Sequence, residues 1–334
     1  MEGSLLPLVW LGLIAFSIFM YVLLDGFVLG TGIIFSLAPS HEHRDTMMTS
    51  VAPIWDGNET WLVLGAGGLF AAFPLAYAVV LPALYLPFTV MLLGLIFRGV
   101  AFEFRFKDRS HRRIWDRAFQ IGSVVATFAQ GTILGTFVQG FDIEGTTYAG
   151  GLFDWLTPFG VLTGVALLAG YALLGSTWMI LKSVGDLQEW ARRLSIRLLF
   201  GVLAGIAAIS AWVPFLDNNI AQRWFSLPNF YFLSQVPLLT LLCGYYHWRT
   251  TRAGSDAAPF LLTLALFALG YGGLGISLWP NIIPPAVPYW EAAASVSSQR
   301  FLLIGVIVTL PAVLFYTAWS YHVFKGKVEA PSGY

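Results

Sequence analysis

Long runs of apolar residues, repeated along almost the whole chain, restrict its fold more than any other feature. A helix needs about 20 such residues to cross roughly 30 Å of hydrocarbon. Hydrophobic residues make up 57% of the 334 residues and charged residues only 11%, whereas soluble domains carry about a quarter of charged residues. We therefore predict an all-α, polytopic membrane helical bundle that forms a single integral membrane domain over residues 1–334.

We predict nine membrane-spanning helices from these runs. They are placed at residues 7–36, 51–73, 75–102, 118–139, 157–182, 196–214, 231–250, 258–279 and 299–324. Pro74 fits a tight turn between the second and third, because proline cannot continue a helix without losing a hydrogen bond. Glycines spaced four apart predict close contact between neighbouring helices. These pairs are Gly26 with Gly30, Gly131 with Gly135, Gly160 with Gly164, and Gly201 with Gly205.

The basic residues test this layout independently of hydropathy. Loops rich in Lys and Arg lie on the cytoplasmic side of a membrane. Of the basic residues near the predicted helix ends, only Arg223 and Arg300 fall outside the loops that follow odd-numbered helices. The opposite loops are acidic or nearly neutral. This asymmetry predicts an odd number of spans, an N-terminus outside and a cytoplasmic C-terminus.

Several classes of function are disfavoured by composition. A net charge of zero argues against a nucleic-acid surface, which needs a basic patch. One cysteine, Cys243, excludes a disulfide framework or a thiolate cage within the chain. No histidine falls in the middle of a predicted span, where a haem ligand would be needed, and no metal-binding spacing is present. We expect no metal here, and if the protein serves a redox system, another chain holds the metal.

The segment PIWDGNETW opens the second predicted helix with a polar cluster. It holds Trp55, Asp56, Asn58, Glu59 and Trp61. Ionisable side chains inside a membrane are costly and usually face a bundle interior, pair with another group, or carry protons or ions. Trp55 suits a membrane interface, whereas Trp61 lies deeper and can line a cavity.

Depth separates the unusual charges from the ordinary ones. Asp25 lies roughly 16 Å from the inner end of the first helix at 1.5 Å per residue, and Glu59 follows Asp56 by one turn on the same side of the second helix. Arg98 is the candidate counter-charge, and Glu103 lies where the cytosol begins. Carboxyl groups at successive depths indicate a path for protons. The alternative is an ion pair with Arg98 that only fixes helix register.

These residues carry a family resemblance. The segments PIWDGNETWLVLGAGGLFAAFP, YVLLDGFVLGTGI, LIFRGVAFEFRFK and LPAVLFYTAWSYHVFKGKV together resemble subunit II of the cytochrome bd-type quinol oxidases, nearly from end to end. The segment WMILKSVGDLQEWARR and the short C-terminal tail are similar to the cyanide-insensitive branch of that family.

The resemblance implies a terminal oxidase of the bacterial cytoplasmic (inner) membrane, in which this chain is the haem-free subunit II. The partner, subunit I, would have a homologous fold and hold two b-type haems with one d-type haem or a third b-type haem. It would oxidise quinol and reduce dioxygen to water with cytoplasmic protons. A structural quinone in subunit II, contacts with lipid, and a small single-span subunit are further features that the resemblance allows.

The resemblance also implies roles for particular residues. Asp56 would belong to a proton path along the subunit interface, and Trp61 would lie near the mouth of a dioxygen route, with Trp55 and Asn58 on that route or at the interface. Many family members have a second acid in the DGF motif, where this chain has Val28. A proton path in this chain would therefore have to use Asp25 and Asp56 without that second acid.

Two functions from other classes remain open at this stage. A secondary transporter shares the apolar bulk and intramembrane acids, but it more often shows inverted repeats and helices broken at matching positions. Neither is evident in the sequence. A purely structural assembly subunit would use its buried acids only as packing pairs.

Overall fold

The chain is helical over most of its length in the computed structural model, which describes residues 5–108 and 110–328. This confirms the all-α class. The helices are α1 (Leu5–Ile34), α2 (His41–Val51), α3 (Trp55–Ala72), α4 (Pro74–Ala83), α5 (Tyr85–Phe104), α6 (Arg112–Gln139), α7 (Pro158–Lys182), α8 (Gly185–Trp212), α9 (Asn218–Phe225), α10 (Asn229–Leu233), α11 (Gln235–Arg252), α12 (Ala258–Leu278) and α13 (Val296–Val323).

Two short antiparallel hairpins connect helices at one end of the bundle. Strand β1 (Ile143–Glu144) pairs with β2 (Thr147–Tyr148) between α6 and α7. Strand β3 (Asn281–Ile283) pairs with β4 (Val287–Pro288) between α12 and α13. The second hairpin buries its isoleucines against apolar residues of α1 and α4, so it seals that end of the core.

The number of spans differs from the prediction. Within the described residues, seven helices are long and apolar enough to cross a membrane, and α9 with residues 229–252, bent by 81°, raises the count to eight at most. The predicted count of nine is not confirmed. Helix α3, the second predicted span, is not among the seven because the polar motif occupies its first two turns. The orientation of the termini stays a prediction.

Some predicted boundaries were wrong. The third predicted helix, 75–102, is divided at Leu84 into α4 and α5, where Pro82 and Pro87 lack the amide hydrogens that would carry the helix through. The turn at Pro74 is confirmed. Helix α8 begins at Gly185 rather than near 196, because its first turns bury Leu187, Ala191 and Ser195 on one face while the other face is polar.

Helix α1 lies at the centre and contacts α3, α6, α7, α12 and α13. Its approach to α7 is set by Gly30 and Gly175, since a Cβ on Gly30 would lie 1.7 Å from the Tyr171 carbonyl oxygen. A Cβ on Gly131 of α6 would lie 2.6 Å from the Gly164 Cα. Close packing at these glycines is confirmed, but Gly201 faces open space within 4 Å and that pairing was wrong.

Helix α2, which the sequence did not reveal, is held down by a buried ion-pair network. The Arg105 guanidinium is 1% exposed, donates to Asp116 at 2.5 Å and pairs with Asp45 of α2 at 2.9 Å. Arg44 lies 3.7 Å from Asp116. Removing a buried charge from water is costly unless its partners compensate, so the network ties α2 to the connection between α5 and α6.

Candidate functional site

An ion pair lies in the interior where α1 meets α5. Asp25 and Arg98 have side chains that are 0% exposed, and Arg98 Nη1 donates to Asp25 Oδ1 at 2.5 Å. The structure therefore places Arg98 as the counter-charge of Asp25, as predicted. An isolated charge at such a depth would carry a large desolvation cost, so each residue requires the other.

A second carboxylate completes the cluster. Arg98 Nη2 donates to Glu59 Oε1, and the Glu59 side chain is 31% exposed. One guanidinium thus binds a fully enclosed acid and an acid that reaches the surface of the chain. With both acids ionised the cluster has a formal charge of −1, and a single proton brings it to zero. We name Asp25, Glu59 and Arg98 the acid cluster.

Aromatic rings border the acid cluster near the C-terminal ends of α1 and α5. Trp55 stacks on Phe102 at 5.0 Å between ring centroids, and the Arg98 guanidinium lies 5.8 Å from the Trp55 ring. Phe102 in turn contacts Phe119, which contacts Phe35. These apolar rings lie between Arg98 and Arg105, and Glu59 is the member of the acid cluster whose side chain is partly exposed on the surface of this chain.

Asn58 and Trp61 lie on the buried face of α3. Asn58 Nδ2 donates to the Leu24 carbonyl at 2.8 Å, and its Oδ1 accepts from the Tyr321 hydroxyl at 3.0 Å. Trp61 is 0% exposed, its ring meets Phe16 edge-on at 5.7 Å, and its Nε1 has no partner among the described residues. Asn58 joins α1, α3 and α13, and a role of Trp61 in a dioxygen route stays a prediction.

The other predicted acids lie outside the acid cluster. Asp56 is exposed, in the first turn of α3, one turn before Glu59. Glu103 is exposed and pairs with Lys107 at 2.9 Å, so the structure does not bring it to Arg98. Val28 is fully buried in the largest apolar core. No titratable group therefore occupies this position of α1.

Three residues of the interior were missed by the sequence analysis. Gln130 Nε2 of α6 donates to the Tyr21 hydroxyl at 2.9 Å, and the Tyr171 hydroxyl of α7 donates to Gln130 Oε1 at 3.0 Å. Tyr21 lies one turn before Asp25 on the same helix. A glutamine amide inside the fourth apolar run was the available signal, because hydrocarbon offers such a group no hydrogen bonds.

The metal-ligating side chains of the described residues are dispersed rather than clustered. No group of three His, Cys, Asp or Glu residues in the described ranges lies close enough to bind a metal. The buried His247 has Ser195 Oγ 3.5 Å from its Nε2. A groove of about 330 Å³ between α1 and α13 is lined by four apolar side chains and Arg300, without a histidine.

Comparison with known proteins gives a consistent result. The family described as "Cytochrome bd terminal oxidase subunit II" matches residues 6–324. "Cytochrome bd ubiquinol oxidase subunit 2" of Bacillus subtilis is 30% identical over 331 residues, covering 96% of each chain. "Cytochrome bd-I ubiquinol oxidase subunit 2" of Escherichia coli K12 is 28% identical over 367 residues, covering 98% of this chain and 96% of that one.

The fold is also that of a solved structure. A chain of the bd oxidase from Geobacillus thermodenitrificans superposes with a TM-score of 0.78. The match covers 96% of this chain and 99% of the other at 14% identity. At that identity the likeness establishes the architecture and carries no residue roles.

Proposed function

Because the chain belongs to the cytochrome bd terminal oxidase subunit II family, we propose that it carries cytoplasmic protons toward the site where its partner reduces dioxygen. As subunit II it is part of a quinol oxidase complex of the bacterial inner membrane and assembles with a subunit I. The acid cluster is the observation that supports the proton role.

The proposed division of labour leaves the redox groups in the partner. Subunit I would hold the b-type haems and a d-type haem or a third b-type haem, and this chain would hold none. A structural quinone in this chain, a small single-span subunit and membership of the cyanide-insensitive branch belong to the same proposal, carried by the family resemblance.

The proton path that we propose has three stations. Asp56, exposed at the start of α3, takes protons from the cytoplasmic side, and Glu59 receives them one turn deeper on the same helix. Glu59 then passes them to Asp25, which is held near it because Arg98 pairs with both acids. Glu59 is suited to the middle position because it is the member of the acid cluster whose side chain reaches the surface.

Arg98 would act in this path by holding two acids within reach of one another. Its two terminal nitrogens bind one carboxylate each, so the acids are bridged without being forced into direct contact. A proton on either acid leaves Arg98 paired with the other. The guanidinium itself stays protonated at any physiological pH, so it serves as a fixed counter-charge.

Asp56→Asn tests the proton role directly. The amide keeps the size of the side chain and cannot exchange protons as a carboxyl does, so we expect slower quinol-driven oxygen consumption per haem in a fully loaded complex. A loss of about tenfold or more is the scale expected for removing a proton-transfer group. Asp142→Asn is the matched control. Asp142 is also exposed, but it follows the C-terminal end of α6. Equal turnover of the two variants would contradict the proton role.

A purely structural role is the second candidate, and one observation favours it. Arg98 pairs with both acids, as expected of an ion pair that only fixes helix register. In that case Asp56→Asn would leave turnover per haem unchanged, and substitutions in the acid cluster would lower the yield of assembled complex. Turnover per haem and yield measured on the same preparations separate the two functions.

A further inference from the structure

The carboxylate of Asp25 has one oxygen without a partner. Oδ1 accepts from Arg98, whereas the buried Oδ2 has no hydrogen-bond partner among the residues that the structure describes. Tyr21 precedes Asp25 by four residues on α1, and both are buried, so the two side chains lie on the same face of that helix. A buried acceptor left unsatisfied costs free energy, so a donor for Oδ2 is expected close by.

Hydrogen-bond direction identifies Tyr21 as that donor. The Tyr171 hydroxyl donates to Gln130 Oε1. Gln130 Nε2 donates to the Tyr21 hydroxyl oxygen. Because that oxygen already accepts one hydrogen bond, its own hydrogen is free to turn toward Asp25.

Three helices hold this chain of groups in place. Tyr21 is on α1, Gln130 on α6 and Tyr171 on α7. The Tyr171 ring lies against α1 where Gly26 follows Asp25, since a Cβ on Gly26 would come within 2.9 Å of that ring. The two tyrosine side chains are 3% and 0% exposed, so bulk water does not compete for these hydrogen bonds.

We infer that Tyr21, oriented by Gln130 and Tyr171, is a positioning residue that directs Asp25 Oδ2 during proton transfer. The inference rests on the proposed function of the acid cluster. Tyr21 donates to the carboxylate while Asp25 is ionised and holds its plane fixed against rotation about χ2. When Asp25 takes a proton, Tyr21 keeps its bond to Gln130 and is ready to donate again.

Other groups that face Asp25 bear on any pH dependence of this arrangement. They are Arg98 on α5, Glu59 on α3, Tyr171 on α7, whose ring lies against Gly26, and Tyr321 on α13, which is hydrogen-bonded through Asn58 to the Leu24 carbonyl. Of these, Tyr171 reaches Asp25 through Gln130 and Tyr21, whereas Arg98 and Glu59 form the acid cluster. Substitution of Tyr21 therefore changes one contact of Asp25 while the acid cluster stays complete.

The test compares Tyr21→Phe with Tyr271→Phe in the assembled oxidase complex. Tyr271 also donates from its hydroxyl to α1, at the Ala15 carbonyl at 2.8 Å, but ten residues from Asp25. We expect Tyr21→Phe to lower turnover per haem severalfold and to displace the pH profile of turnover by about one unit, as losing a hydrogen bond to a charged group does. Tyr271→Phe is expected to change neither quantity.

Asp25→Asn in the same series separates failure of the inference from failure of the proposed function. Slow turnover in Asp25→Asn with a Tyr21→Phe profile that coincides with Tyr271→Phe overturns the inference alone. Normal turnover in Asp25→Asn overturns the proposed function and the inference with it. If Tyr21→Phe does not assemble, Tyr171→Phe releases Gln130 and is expected to displace the profile in the same way, and an undisplaced profile overturns the inference.

Discussion

At the scale of single residues, the acid cluster depends on one guanidinium that serves two carboxylates. Arg98 is fully enclosed and binds both Asp25 and Glu59. A buried ion pair is weak evidence for stability, but a pair that loses one member is strongly destabilised. The carboxylates and Arg98 therefore form an interdependent unit.

Arg98→Met is predicted to destabilise the complex, because it leaves Asp25 buried without a counter-charge. The expected cost is about 3–5 kcal/mol, the usual scale for removing one partner of a buried pair. The measurement is the thermal midpoint of the purified complex. Adding Asp25→Leu to Arg98→Met is expected to recover part of the loss, and a double variant less stable than Arg98→Met would contradict the interpretation.

The sequence predicted the charged members of the site and missed the neutral ones. Asp25, Glu59 and Arg98 were found because a charge inside an apolar run needs a partner. Tyr21, Gln130 and Tyr171 escaped because they carry no charge and because their contacts join different helices, across 109 residues for Tyr21 and Gln130 and 41 for Gln130 and Tyr171. Such contacts depend on how helices rotate against one another, which local spacing does not encode.

At the scale of helices, glycine sets how closely α1 approaches α7. Gly30 and Gly175 face each other, and a Cβ on Gly175 would lie 2.3 Å from the Gly30 carbonyl carbon. The obstructing atoms are backbone, so no side-chain rotation relieves the clash. Spacing in the sequence predicted this contact at Gly30, but it did not predict the break at Leu84, which required weighing two prolines against a long apolar run.

Gly30→Ala is predicted to push α1 away from α7 and to destabilise the complex by at least about 1–3 kcal/mol, the usual cost of overpacking. Gly12→Ala on the same helix is the matched control, because nothing lies within 4 Å of a Cβ there. Alanine at that position favours the helix. Thermal unfolding of both complexes is the measurement, and equal midpoints would contradict the close approach.

At the scale of the whole molecule, the segment after α13 forms hydrogen bonds with the end of α7 and with the loop between α11 and α12. Lys327 Nζ donates to Asp256 Oδ2 at 2.7 Å, and the Val328 amide donates to the Lys182 carbonyl at 2.8 Å. Arg192 also donates to Asp256, at 2.6 Å. Hydropathy identified the helices that this contact joins, but a polar contact between distant loops leaves no periodic signal.

Asp256→Asn is predicted to loosen this tail and to speed cleavage by trypsin after Lys327. The Lys327 and Arg192 charges hold the pKa of Asp256 below its usual value. Asp256 is therefore ionised and paired with Lys327 and Arg192 above about pH 4, which is the pKa of an aspartate in the unfolded chain. The pairing is lost only as the pH falls through the lower pKa that Asp256 has in the folded protein. Wild-type cleavage, divided by the trypsin activity on an unstructured peptide at the same pH, should not change between about pH 6 and 8. Asp186→Asn is the control, because Asp186 is an exposed acid at the start of α8. Equal cleavage of the two variants would contradict the proposed role of Asp256 in holding Lys327.

Proton uptake during oxygen reduction tests the central claim most directly. The fully reduced complex is mixed with dioxygen beside a pH indicator, and uptake is followed for the wild type and for Asp25→Asn, normalised to haem. We expect uptake to be slowed by about tenfold or more in Asp25→Asn, the scale of a lost proton-transfer group, with unchanged binding of dioxygen by the partner. Uptake as fast as in the wild type would contradict it.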